Sequence, residues 1–264
     1  LPEDRRNDFL DTAGTVPMAV LPKYVALGGQ ETFVLSWPDG DVSWSGGLDT
    51  KLYGLLNGRY NNSGQTNRGI SCISFAGNRY AVCYEGGGWQ FVCDNLSTEV
   101  MTNAGTISCL SLGPEGSYFL MGEQSLHWSG IPKRAEQLIK TRKCAAVEWM
   151  ALGTDGSYFL LFGDGAYYWD GLHPTLSELI QQETGIHRVF LSAEDESYFL
   201  PLNDGRAFWE VSEYFDSQIS RCLYLAPSQI MFSHNNIGPV FSNGKHSIKD
   251  TFLSLHRGHL DPED

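Results

Sequence analysis

A ten-residue phrase returns at a fixed interval along this chain. Ser111 to Leu120 reads SLGPEGSYFL, Ala151 to Leu160 reads ALGTDGSYFL, and Leu191 to Leu200 reads LSAEDESYFL, a spacing of 40 residues. VALGGQETFVL (25–35) and ISFAGNRYAV (73–82) carry the same pattern in degraded form. A unit this short cannot bury both of its faces, so neighbouring units must stack on one another. A second landmark follows each phrase. It is an acid-glycine turn at Asp39-Gly40, Glu85-Gly86, Asp164-Gly165 and Asp204-Gly205, with Glu123-Gln124 and Asn243-Gly244 in the equivalent places. The six landmarks lie 38–46 residues apart. Trp44, Trp128, Trp169 and Trp209 each stand five residues after the turn acid, and Trp89 stands four after Glu85.

Each unit reads as three strands. The first is apolar, as in Tyr24-Val25-Ala26-Leu27, and the second is Ser-Tyr-Phe-Leu or its equivalent. An acid-glycine turn then reverses the chain into a third strand that carries the Trp. A fourth piece is either a short helix or an outer strand. Leu176, Leu179 and Ile180 have helical spacing, with Thr175 after Pro174 as the capping residue. Pro132 to Ile139 and Leu48 to Leu56 look similar. A sixth unit is divergent: Cys222 to Ile230 supplies a first strand and turn, Ile230-Met231-Phe232 a second strand, and Ile248 stands where the Trp belongs. Ser247 to His256 has an amphipathic helical pattern before a polar tail.

The expected fold is all-β with short helical turns. It comprises about six three-to-four-stranded repeats of about 40 residues, closed so that no sheet edge is left open. Residues 1–22 form an N-terminal extension, 23–221 five β-repeats, and 222–264 a divergent sixth repeat or the start of a second module. In this arithmetic the chain resembles a small β-propeller, by architecture and not by family. The Gly-His and Trp-Asp pair of the WD repeat is missing, since Trp169-Asp170 occurs once. The paired glycines of kelch blades are missing too. An open β-solenoid-like array is the alternative. Residues 230–264 give a strand, a loop, a helix and an acidic exit containing Pro262. That order is similar to the opening of the ParB/sulfiredoxin-like fold, but the nucleotide-binding Gly-Cys-His-Arg motif of that family is absent. The resemblance therefore implies no activity for this chain.

Composition agrees with many short strands: of 264 residues 42% are hydrophobic, and there are 29 Gly, 14 Phe, 12 Tyr and 7 Trp. Lys and Arg total 18 against 31 Asp and Glu. That balance argues against nucleic acid and anionic membrane as partners, because counterion release needs a basic face. It favours a protein partner with a basic or mixed surface. No apolar run reaches the roughly 18 residues of a membrane span. The chain opens Leu1-Pro2-Glu3-Asp4 and not on Met, which reads as a trimmed chain, a processed product or an ordered fragment, a start that leaves room for a targeting segment already removed. The six cysteines, Cys72, Cys83, Cys93, Cys109, Cys144 and Cys222, show no zinc-ligand spacing. Cys72 and Cys109 sit at matching apolar positions and read as buried free thiols, a lean towards a reducing intracellular compartment.

No residue pattern carries chemistry. The repeated Trp residues read as packing between units, while Trp37 and Trp149 lie outside that register and are freer to face a ligand. The turn acids Asp39, Glu85, Asp164 and Asp204 read as turn formers, not as calcium ligands or a glycosidase pair. Four of the seven histidines, His234, His246, His256 and His259, fall late in the chain. His256 and His259 lack a third metal ligand and read as a solvated helix end. Nucleophile elbows, metalloprotease signatures and phosphate loops are missing, and Gly28-Gly29 and Gly86 to Gly88 read as turns. No catalytic, cofactor-binding or metal residues are assigned. The expected function is a non-catalytic repeat scaffold for protein–protein interaction, an accessory subunit of a larger assembly. A lectin-like propeller and a hydrolase with a central-pocket site are the alternatives. The insertion Asn57 to Arg68 is polar and reads either as a loop that grips the partner or as a slack connection. Asn61-Asn62-Ser63 and Asn95-Leu96-Ser97 fit the glycosylation spacing, which arises often by chance.

Overall fold

A computed structural model describes residues 21–29, 32–45, 47–56, 69–142, 145–211 and 216. Every described unit forms three antiparallel strands in sequence order. The first sheet is β1 (Tyr24–Leu27), β2 (Phe33–Ser36) and β3 (Val42–Trp44). The second is β4 (Ile70–Ala76), β5 (Arg79–Tyr84) and β6 (Trp89–Val92). The third is β7 (Ile107–Leu112), β8 (Tyr118–Gly122) and β9 (Leu126–Ser129). The fourth is β10 (Val147–Leu152), β11 (Tyr158–Phe162) and β12 (Tyr167–Asp170). The fifth is β13 (Phe190–Leu191), β14 (Tyr198–Pro201) and β15 (Ala207–Glu210). The sixth unit expected from Cys222 onwards lies outside the described residues, as do Cys144, the four late histidines, residues 57–68 and the ParB-like stretch.

The fourth piece of four units is a helix: α1 (Thr50–Leu56), α2 (Thr98–Ala104), α3 (Lys133–Thr141) and α4 (Pro174–Gln182). Asp49 caps α1 through Oδ1, which accepts from Lys51 N at 2.9 Å. Ser97 caps α2 by accepting from Val100 N at 3.2 Å. Ser97 thus has a local role that explains half of the apparent glycosylation motif. Thr175 does not cap α4. The helix starts one residue earlier on Pro174, whose fixed φ suits the first helical position, and His173 is its N-cap residue.

The two kinds of turn follow different rules. Between first and second strands, Glu115 (φ 54°) precedes Gly116 (φ 79°), and Asp155 (φ 52°) precedes Gly156 (φ 76°). Two successive left-handed residues give the type I′ turn, whose twist matches that of a hairpin. The acid-glycine turns are three-residue loops. Phe162 N donates to Ala166 O at 2.9 Å and Gly165 N to Phe162 O at 2.9 Å, with Gly165 at φ 81°. The acid holds the loop by accepting a backbone N–H two residues on: Asp41 N to Asp39 Oδ1, 3.0 Å; Ala166 N to Asp164 Oδ1, 3.2 Å; Arg206 N to Asp204 Oδ1, 3.0 Å.

First and second strands are buried almost throughout, whereas β3, β9 and β12 are half-buried. The reason is contact between sheets. β1 packs on β4, β4 on β7, β7 on β10, β10 on β13, and β13 on β1. Side chains bridge these junctions where no ladder can form. Leu112 N donates to Ser74 Oγ and Leu152 N to Ser111 Oγ, each at 2.9 Å. Tyr24 OH donates to Leu110 O at 2.9 Å. Arg188 Nη1 donates to Lys23 O at 2.8 Å and so ties the fifth unit to the first. Tyr24, Trp149 and Phe190, from β1, β10 and β13, form a triangle with centroids 5.1–5.4 Å apart.

This packing overturns the expectation for Trp37 and Trp149, while the repeated indoles do pack against the core. Trp149 and Trp37 are buried; Trp149 Nε1 donates to Val189 O at 2.8 Å, and Trp37 Nε1 to Ser43 Oγ at 3.0 Å. Trp44, Trp89, Trp128 and Trp169 are half-buried because they stand on the outermost strands. Trp209 alone of that series is fully enclosed. Cys72, Cys83, Cys93 and Cys109 are buried free thiols, and burial pushes the Cys109 thiol up to about 12.

Two expectations follow. Trp149→Ala should cost about 3–5 kcal/mol in chemical unfolding and Trp169→Ala roughly half that, since only the first indole loses a full shell of contacts. Gly165→Ala should cost about 1–2 kcal/mol from backbone strain alone, because no atom stands within 4 Å of its new methyl. Gly163→Ala, two residues earlier and not left-handed, should be near neutral in the same assay.

Candidate functional site

Antiparallel order sorts the turns onto two sides. The first turns and the exits of the third strands share one side; the acid-glycine turns and the entries of the first strands share the other. On the acid-glycine side three of the four turn acids, Glu85, Asp164 and Asp204, have a cation. Lys23 meets Glu85, and Arg142 meets Asp164. Arg206 takes Glu183 in a two-pronged pair at 3.0 and 2.7 Å and reaches Asp204 at 2.8 Å through Nε. The Arg142 guanidinium, helped by the Ala166 N–H, holds the Asp164 carboxyl below the usual range. The turn acids therefore serve geometry and charge balance, and among the described residues no group of three His, Cys, Asp or Glu is placed to hold a metal ion.

The first-turn side differs. Glu115, Asp155, Glu194, Asp195 and Glu196 are exposed on three successive turns. Glu115, Asp155 and Asp195 have no ion-pair partner among the described residues. Two clefts open between sheets on this side. One, of ≈ 400 Å³ between the first and second sheets, is lined by Thr32, Phe75, Asn78, Arg79 and Glu194. The other, of ≈ 360 Å³ between the third and fourth, is lined by Glu115, Gly130, Thr154, Asp155 and Ser157. They occupy the same place in the repeat, each walled by the first turns of two neighbouring sheets. Arg79 Nη2 donates to Gly113 O at 3.1 Å and Asn95 Nδ2 to Gly116 O at 3.0 Å, so the turns are held from the preceding sheet.

Glu194 crosses from the fifth sheet to the first two. Gly77 N donates to its carboxylate, which also lies over Gly29. The arrangement offers apolar floors, open backbone and carboxylate rims. Chemically that suits cationic and hydrogen-bond-donating groups. Sequence reasoning had read GPEG and TDG as turns only; the signal it left unused was an acid in the same column of consecutive repeats.

No protein-family model matches the sequence, and no curated relative does. Among solved structures, one described as YCF48 bound to D1 peptide aligns at 13% identity and a TM-score of 0.29, over 72% of this chain and 63% of that one. PorZ, a surface component of the type-IX secretion system of Porphyromonas gingivalis, aligns at 12% and 0.30, over 74% and 27%. Virginiamycin B lyase from Staphylococcus aureus aligns at 8% and 0.22, over 69% and 60%. The chain spans less than two thirds of each of these. They are of the β-propeller type. At such scores the likeness carries no argument, and the architecture rests on the sheets themselves.

One half-buried group gives a measurable pH response. Burial, and then the Arg188 charge, hold His187 below the ordinary histidine range, against a smaller opposing effect of the Gly185 backbone. The unfolded chain takes up this proton first, so stability falls as pH drops below the ordinary value of about 6.5. Urea titrations from pH 7 downwards should show a shallower loss for His187→Asn than for the wild type.

Proposed function

We propose that the five sheets close into one ring, a five-bladed propeller, and that the chain is a scaffold that docks a protein partner on its first-turn face. Closure is supported by β1 lying against both β4 and β13, by the bond from Arg188 to Lys23, and by Glu194 reaching Gly77. An open solenoid would leave its first and last sheets apart.

The observation that carries the functional reading is the contrast between the two faces. On one face Lys23, Arg142 and Arg206 pair with Glu85, Asp164 and Asp204; on the other Glu115 and Asp155, which line one of the two equivalent clefts, have no ion-pair partner among the described residues. An extended segment rich in Lys and Arg matches the second face. Electrostatic matching of this kind sets orientation and on-rate, while the apolar floors supply residence. The chain then acts as an accessory subunit that presents a rigid surface, and the repeat core positions that surface.

The test titrates a panel of extended peptides graded in Lys and Arg content. Affinity should rise with positive charge, weaken with salt, and fall at least about tenfold in the Glu115→Lys, Asp155→Lys double variant, which should melt like the wild type. Equal binding of acidic and basic peptides, or no effect of the double variant, would sink the reading. Deleting residues 58–67 separates the two candidate surfaces. That segment re-enters at Gly69, whose carbonyl accepts from Glu85 N at 2.8 Å on the opposite face. Its removal should leave peptide binding unchanged.

A further inference from the structure

Five Asp-Gly pairs occur in this chain: Asp39-Gly40, Asp155-Gly156, Asp164-Gly165, Asp170-Gly171 and Asp204-Gly205. In such a pair the glycine nitrogen can attack the carboxyl carbon of the aspartate, because no side chain on the glycine shields it. The N–Cγ bond forms, the carboxyl group loses its hydroxyl as water, and a succinimide ring results. Water then opens the ring at either carbonyl and returns aspartate or isoaspartate, so water is the only co-reactant. The attack needs a carboxyl group that can turn and a nitrogen that can meet it.

Four of the five pairs are held out of that geometry. In the acid-glycine turns both reactants are engaged. Gly40 N donates to Trp37 O at 3.1 Å, Gly165 N to Phe162 O at 2.9 Å and Gly205 N to Leu202 O at 3.1 Å. The three carboxylates accept the backbone N–H two residues on, and Arg142 and Arg206 hold the second oxygens of Asp164 and Asp204. Asp170 accepts from Gly171 N at 3.1 Å through Oδ1 and faces Arg134 at 3.4 Å through Oδ2. That nitrogen points its hydrogen at the carboxylate, which is the wrong orientation for attack.

Asp155-Gly156 has none of these restraints. Among the described residues the Asp155 carboxylate has no hydrogen bond or ion pair, and Gly156 N has no acceptor. Both residues are exposed, and a methyl placed on Gly156 would meet nothing within 4 Å. The matching turn one unit earlier is pinned from the preceding sheet, where Asn95 Nδ2 donates to Gly116 O at 3.0 Å. That turn also carries Glu115, whose longer side chain closes a larger and much slower ring. Asp155 lines the cleft of ≈ 360 Å³, which leaves its carboxyl group room to swing.

We propose that Asp155-Gly156 is a site of spontaneous succinimide formation, and that the folded chain converts Asp155 to isoaspartate ahead of every other Asp-Gly pair. The product keeps its charge but runs the main chain through the former side chain, one methylene longer. A two-residue type I′ turn has no place for the added atom, so the β10–β11 hairpin and the rim of the cleft change shape as the protein ages.

The test ages the purified chain at physiological temperature in heavy-oxygen water, since each passage through the ring leaves one labelled oxygen behind. Peptides are then compared by mass and by the separate chromatographic peak that isoaspartate gives. In the folded protein the Asp155 peptide should gain label at least about fivefold faster than the peptides of the other four pairs, a small part of what misaligned reactants can cost. In urea the five should label at similar rates, because only the fold separates them. Asp155→Glu, which copies Glu115, should melt like the wild type and give no isomer peak at that position. Another pair that labels as fast as Asp155 in the folded protein overturns the proposal. A lead of Asp155 that persists unchanged in urea would come from sequence and not from the fold, and overturns it as well.

Discussion

The fold depends on contact between strands that cannot hydrogen-bond to one another as a ladder. Each first strand lies against the first strands of its neighbours, and the backbone groups left over at these junctions must find side chains. Ser74, Ser111, Tyr24, Trp149 and Arg188 supply them. Buried backbone groups without partners cost about 1–3 kcal/mol each, so these few residues are what make a stack of small sheets tolerable. The apolar surface between sheets then provides the drive, and the hydrogen bonds fix the angle at which it is spent. This explains why Ser36 and Ser111 are buried although serine has little apolar surface to hide.

Much of this was legible in the sequence, and for a clear reason. The period of 40, the strand-turn-strand order and the acid-glycine turns are local, set by residues within one unit. The helical fourth piece was legible through Leu176, Leu179 and Ile180. What failed was whatever depends on the neighbouring unit. Trp149 looked free because it lies outside the Trp column; it is the residue that reaches across to the fifth unit. Trp169 looked central because it repeats, yet repetition on an outermost strand gives only half burial. Gly29 has a partner 165 residues away in Glu194. α2 escaped notice because Thr98–Ala104 is short and its apolar residues are few. Nothing in the local sequence marks His173; only the fold sets it between Glu196 and Glu210.

The two faces use the same residue type to opposite ends. On the acid-glycine side, Asp164 and Asp204 fold back on their own loops and also pair with Arg142 and Arg206. On the first-turn side, Glu115 and Asp155 occupy left-handed positions, so their side chains are directed outward and their backbone, not their charge, makes the turn. The repeat therefore conceals a division of labour: one column of acids is structural, and the other is left available.

The helices add a consequence of another kind. α2 follows the second sheet but packs on β8 and β9 of the third, Arg134 of α3 reaches the fourth sheet, and His173 at the start of α4 reaches the fifth. Each helix also keeps hold of the sheet behind it: Tyr53 of α1 meets Trp44, Glu136 of α3 accepts from Trp128 Nε1, and Ile180 O of α4 accepts from Tyr167 OH. The helices α3 and α4 are thus lap joints that overlap two neighbouring sheets, as a roof tile overlaps the next. A cut on either side of such a helix uncovers one of the two, so single units of this chain have no clean joint at which to be transplanted.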